Sequence, residues 1–144
     1  ARRSRMTAIS AERPLLYADA SALVKLVIEE PESAALERHL TGGPVLATSR
    51  IALIEVTRAT GVANSAPEVQ EEAARLLASC MLVDVTDALL RAAAGLASRA
   101  VRALDAIHLA SALRVEPDEL VAYDRRLLEA ASARGLSVSS PGGE

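Results

Sequence analysis

The sequence predicts an α/β sandwich in which a central parallel sheet of four or five short strands is flanked by helices. Three observations lead there. Short apolar runs alternate with longer amphipathic stretches along most of the chain. No hairpin turn signal separates any two of the apolar runs, so successive strands must be joined by helical crossovers and run parallel. The core has neither Phe nor Trp and draws on Leu, Val, Ile and abundant Ala, a composition that lets helices approach closely.

Taken in order, Leu15 to Ala18 is an apolar run after Pro14, and Asp19-Ala20-Ser21 then opens an amphipathic helix from Ala22 to Ile28 that stops before Pro31. A second helix is expected from Pro31 to Leu40, with proline in its first turn and Gly42-Gly43 at its end. Pro44 to Ala47 reads as a strand. Thr48 or Ser49 then caps a helix to about Ala63, and Pro67-Glu68 starts another to about Ser79, the two forming a helical hairpin. Met81 to Val85 is the next strand, Thr86-Asp87 caps a helix to about Ser98, and a further helix spans roughly Leu104 to Leu113. Leu120 to Tyr123 is a strand, Asp124 caps a helix to Arg134, Gly135 stops it, and Leu136 to Ser139 closes the sheet.

At 144 residues, 51% hydrophobic and 24% charged, the chain fits one folded domain. Residues 1–14 are expected to form an extension, partly disordered or foreign to the native chain, with Met6 as the biological start; 142–144 are expected to be a flexible tail. There is no apolar signal-peptide core and no run of about 18 apolar residues. Cys80 stands alone in an apolar run, as a buried small hydrophobe would in a reducing cytoplasm. A net charge of -3 argues against binding through a broad electropositive surface. All but Lys25 of the 16 basic residues are arginine, the side chain suited to bidentate phosphate contacts.

Four carboxylates stand out, each with a structural alternative. Asp19 and Asp124 follow strands and belong at the carboxyl edge of a parallel sheet, where ligands bind; each is equally readable as a helix N-cap. Glu55 lies among Ile51, Ala52, Ile54, Val56 and Ala59, on a face that looks mostly buried. A buried carboxylate needs a partner or a cation; the alternative is an i,i+3 pair with Arg58. Asp105 begins a helix, where the dipole favours an acid in any case, while Ala106 and Ala110 allow that helix close to the sheet. Four acids brought together repel and raise one another's pKa unless a cation compensates. Oxygen ligands without Cys or paired His select Mg²⁺ or Mn²⁺, whose natural chemistry beside phosphate is attack by water on a phosphodiester.

Four segments in register carry a family resemblance: Leu16 to Leu26, the helix bearing Glu55, Arg102 to Ala110, and Val121 to Leu127. Over residues 15–141 the chain resembles PIN domains, particularly VapC-type toxins of bacterial toxin-antitoxin pairs. The resemblance implies a PIN-like three-layer sandwich, Mg²⁺- or Mn²⁺-dependent endoribonuclease activity on RNA, homodimerisation, and inhibition by a VapB-like antitoxin. It also implies that Asp19, Glu55, Asp105 and Asp124 form the acidic site. Ser21 matches the family's hydroxyl two residues after the first acid and is expected to donate a hydrogen bond there or cap the helix. His108 matches no family catalytic residue and is expected to be a packed or hydrogen-bonded histidine outside the site. Arg102, Arg125 and Arg126 are candidates to hold RNA phosphates. Ala-rich helix faces beside an acidic site suggest a groove for an apolar antitoxin segment bearing a basic side chain.

Other readings fit less well. A haloacid dehalogenase-type phosphatase needs a second aspartate where Ser21 stands, and a response-regulator receiver needs a late-strand lysine, yet the only lysine is Lys25. A non-catalytic PIN-like interaction module and a cellular RNA-processing PIN nuclease remain as alternatives.

Overall fold

The computed structural model describes residues 13–96 and 101–143. Five strands form one all-parallel sheet: β1 (Leu15–Ala18), β2 (Val45–Ser49), β3 (Met81–Val83), β4 (Glu119–Val121) and β5 (Val138–Ser139), ordered β3-β2-β1-β4-β5. The helices are α1 (Ala20–Lys25), α2 (Ser33–His39), α3 (Ala52–Ala63), α4 (Pro67–Ala78), α5 (Asp87–Ala94), α6 (Ala103–Val115) and α7 (Arg125–Ala133).

The period of two in β1 explains the three layers. Leu16 and Ala18 face a core with Ala22 and Leu23 of α1, Leu36 of α2, Val56 of α3 and Leu77 of α4. Leu15 and Tyr17 face the opposite core with Leu109 and Ala112 of α6 and Leu127 and Ala131 of α7. All four β1 residues are buried, as a strand covered on both faces must be. A smaller cluster, Val83, Leu89, Ala93 and Ala110, fixes α5 and α6 beside β3.

The sheet turns from β2 and β3 on one side of β1 to β4 and β5 on the other, so its switch point lies between β1 and β4. Ala18 pairs with Val121 at that point, and the Asp19 N–H continues the ladder to the Val121 carbonyl at 3.3 Å. Crevices at switch points are where open α/β sheets bind ligands.

Several boundaries differ from the sequence expectation. Thr48 and Ser49 do not cap α3: they pair with Leu82 and Val83, so the ladder claims them and the helix starts after Ile51. The Ser49 hydroxyl accepts from the Ile51 N–H at 3.2 Å, a turn bond instead of a helix cap. The strand from Met81 ends at Val83, and α5, capped by Thr86, ends at Ala94 with Gly95 as its C-cap, short of the expected Ser98; residues 97–100 lie outside the described residues. The expectations for residues 1–12 and for Glu144 also lie outside them. After β5, Tyr123 donates to the Pro141 carbonyl at 2.7 Å, and Gly142 backs onto Ala35 of α2. Among the described residues no helix is long and apolar enough to cross a membrane.

Candidate functional site at the sheet switch point

Asp19 ends β1 and caps α1, its Oδ1 accepting from the Ala22 N–H at 3.1 Å. The same oxygen accepts from the Ser21 hydroxyl at 2.7 Å. Ser21 in turn accepts from the Tyr123 N–H at 3.2 Å, which joins the turn after β1 to the loop after β4. Asp124 caps α7 through bonds from the Arg126 and Leu127 N–H groups, at 2.8 and 3.4 Å. The capping alternative is therefore real at both positions, and it also fixes each carboxylate at the carboxyl edge of the sheet.

Asp105 stands in the first turn of α6, half-buried beside Ala106 and Ile107. Burial pushes its carboxyl above the ordinary value; the charges of Asp124 and Glu55 push the same way, against His108 and Arg102. Asp19 is also raised, first by burial, with Asp105 adding to it and Ser21, His108 and the Ala22 amide opposing. Asp105 thus feels the charges of Asp124 and Glu55, and Asp19 feels that of Asp105.

Glu55 corrects the sequence reading in part. Its neighbours Ile54 and Ala59 are exposed, so its face of α3 is not mostly buried. Its carboxylate is hydrogen-bonded not to Arg58 but to the Nε2 of His108, at 2.7 Å. His108 is 2% exposed and also meets the Tyr17 hydroxyl through Nδ1 at 2.7 Å, its ring edge-on to the tyrosine. A satisfied histidine was expected; its attachment to a site carboxylate was not. The available signal was its spacing, one turn beyond Asp105 and so on the same face of α6.

The other acids lie elsewhere. Asp118 accepts from the Leu15 N–H at 2.8 Å at the opposite end of β1, and Asp84 pairs with Arg50 on the surface. Arg102, Arg125 and Arg126 are exposed, at the starts of α6 and α7 beside Asp105 and Asp124.

Among the described residues no three acidic, His or Cys side chains converge as a ready-made metal cage. Mg²⁺ does not require one, since it keeps several waters and takes one or two carboxylates. The donor set fits such a hard cation: all oxygen, with Asp19 and Asp105 both held above the ordinary carboxylate value.

Fold and site together define a doubly wound α/β protein with carboxylates at its switch point. The chain belongs to the PIN-domain family, whose profile matches residues 16–133. It is 39% identical over 128 residues to ribonuclease VapC46 of Mycobacterium tuberculosis, an alignment covering 88% of this chain and 97% of the relative. It is 36% identical to ribonuclease VapC47 of the same species, over 89% and 98% of the two chains. In fold it resembles VapC20 of M. tuberculosis, a sarcin-ricin loop cleaving toxin (TM-score 0.70, 21% identity, 88% and 99% coverage). It also resembles a chain of a toxin-antitoxin complex from Klebsiella pneumoniae (TM-score 0.69, 18% identity, 90% and 99% coverage).

Proposed function

We propose that the protein is a VapC-type endoribonuclease, the toxin of a VapBC toxin-antitoxin pair, acting in the cytoplasm. The observation that carries the reading is the gathering of Asp19, Asp105 and Asp124 around one switch point in a chain so similar to ribonucleases VapC46 and VapC47. PIN-domain ribonucleases use a divalent metal; here Mg²⁺, with Mn²⁺ as a substitute, suits the oxygen-only set of Asp19, Glu55, Asp105 and Asp124. When bound, such an ion supplies Lewis-acid stabilisation of the phosphodiester and makes an attacking water more acidic.

The chain's own residues supply position and charge. Arg102, Arg125 and Arg126, at the rim, hold RNA phosphates without reading sequence. Asp19, locked by Ser21 and the α1 amide, gives the crevice one carboxylate of fixed direction. Asp105, whose carboxyl is raised chiefly by burial and further by Asp124 and Glu55, is poised to orient or accept a proton from the attacking water.

The partner is a VapB-like antitoxin. An apolar groove lined by Ile54, Ala59, Val62 and Leu104 runs beside Glu55 and Arg58. An apolar antitoxin segment would cover it, and a basic side chain from the same segment would reach the carboxylates. A homodimer is part of the same reading.

Purified protein should cleave RNA with Mg²⁺ and not in excess EDTA, and Asp19→Ala or Asp105→Ala should abolish cleavage with the fold retained by circular dichroism. Undiminished cleavage by either folded variant would defeat the assignment. RNA binding without turnover in wild type would favour the non-catalytic interaction module.

A further inference from the structure

The bond between Glu55 and His108 joins the two outer layers of the sandwich. Glu55 is carried by α3, whose Ala52 and Val56 belong to the core on one face of the sheet. His108 is carried by α6, whose Leu109 and Ala112 belong to the core on the other. Behind the imidazole stands Tyr17 of the central strand, fully buried. A carboxylate only accepts hydrogen bonds, so Nε2 must donate to Glu55; Nδ1 of the same ring is then free to accept from the tyrosine O–H. In the neutral ring the Nε2 proton then lies toward Glu55 and the tyrosine proton toward Nδ1.

We propose that His108 is a positioning residue for the nuclease site: it presents its Nε2 proton to Glu55 and holds that carboxylate toward the acidic cluster, with Tyr17 bonded to Nδ1 behind the ring. The proposal rests on the nuclease reading above. Glu55 needs such a support, because it sits 22% exposed on a helix face flanked by exposed Ile54 and Ala59. An unsupported glutamate there would sample several rotamers, and each would present a different carboxylate to the cluster. Partners that orient a metal-binding carboxylate or imidazole from behind change metal affinity roughly 10–100-fold when removed.

The test compares His108→Leu, His108→Gln and Tyr17→Phe with wild type, alone and in a Glu55→Ala background. Mn²⁺ affinity is measured without RNA, and RNA cleavage is resolved into kcat and KM. His108→Leu should weaken Mn²⁺ binding by about 10-fold or more and lower kcat with little change in KM. Gln keeps a side-chain N–H near the Nε2 position and should recover most of the loss. In the Glu55→Ala background His108→Leu should cost nothing further. ¹⁵N NMR of wild type should find the proton on Nε2 of His108, and this tautomer should persist in Tyr17→Phe and be lost or mixed in Glu55→Ala; these spectra stand even if His108→Leu fails to fold. A proton resident on Nδ1 would overturn the proposal, as would losses of equal size with and without Glu55. If wild type binds Mn²⁺ in a His108-dependent way but cleaves no RNA, the nuclease reading fails and the positioning role stands. If wild type cleaves while folded His108→Leu matches it in both Mn²⁺ affinity and kcat, only the positioning role fails.

Discussion

The Ser21 hydroxyl donates to Oδ1 of Asp19 at 2.7 Å while accepting from the backbone N–H of Tyr123, so one side chain binds the carboxylate and ties together the two loops that frame it. Removing it acts on both. A hydrogen bond to a charged group is worth about 1.5–3 kcal/mol. Ser21→Ala should therefore lower RNA cleavage by roughly 10-fold or more, since 1.4 kcal/mol is a factor of ten, and should raise the Asp19 pKa further, because Ser21 now opposes the effect of burial. Ser21→Thr, which keeps the hydroxyl, should retain most of the activity. Equal rates for the Ala and Thr variants would remove Ser21 from the site.

Asp19 caps α1 and, in the function proposed above, also supplies a site carboxylate, and one substitution can separate the two. Asn keeps a cap oxygen for the Ala22 N–H but loses the charge. Asp19→Asn should thus match wild type in melting temperature to within a few degrees and still lose cleavage, whereas Asp19→Ala should also lose about 1 kcal/mol of cap stability. Retained cleavage in the Asn variant would mean that the carboxylate is only a cap.

The sequence exposed the elements better than their partners. Alternating apolar runs without hairpin signals sufficed for a parallel sheet because both faces of β1 are buried, leaving no polar period to confuse the reading. Thr48 and Ser49 misled because hydroxyl residues suit a helix cap and a strand end alike, and only pairing with β3 decides between them. The caps Asp19, Thr86 and Asp124 are local features and were readable. The Glu55–His108 bond was not, because it spans 53 residues and two layers, and nothing in the spacing of α3 tells which side chain of α6 will face it.

Metal should stabilise the fold in a pH-dependent way. Asp19 and Asp105 have folded pKa values above the ordinary 3.8, chiefly through burial. The folded state therefore holds protons that the unfolded state releases; their stabilising effect is complete below about pH 3.8 and is lost as pH rises through the folded values. In EDTA these two carboxyls favour the fold less at pH 7.5 than at pH 5. Mg²⁺ at about ten times its Kd should return about 1.4 kcal/mol, or roughly 4 °C in melting temperature. The gain should be smaller at pH 5, where protons compete for the same oxygens. Calorimetry that finds no Mg²⁺ effect, or a larger one at pH 5, would contradict the shared acidic field.

Gly61 offers a stability change remote from the carboxylates. It sits inside α3 with an ordinary helical φ, and a Cβ there would meet only the Gln70 amide at 3.8 and 3.9 Å. Gly61→Ala should stabilise by about 0.5–1 kcal/mol by reducing the freedom of the unfolded chain. Gly142 is the contrast: with φ +81° and a would-be Cβ 2.9 Å from that of Ala35, an alanine must lift the segment off α2. Chemical denaturation should show a higher midpoint for Gly61→Ala and none for Gly142→Ala.

The apolar groove beside Glu55 makes the last prediction. Val62 is 89% exposed, Ile54 61% and Leu104 51%, three large apolar side chains that the fold itself does not use. Val62→Glu should leave the melting temperature and RNA cleavage of the isolated protein unchanged, because the residue touches neither core nor carboxylates. If an antitoxin segment occupies the groove, a buried unpaired charge at its centre should weaken that complex by more than 10-fold, about 1.4 kcal/mol or more. Titration with a VapB-like antitoxin would measure it, with inhibition of cleavage as a parallel readout. Unchanged inhibition, accompanied by a shift from dimer to monomer in sedimentation, would instead assign the groove to the homodimer.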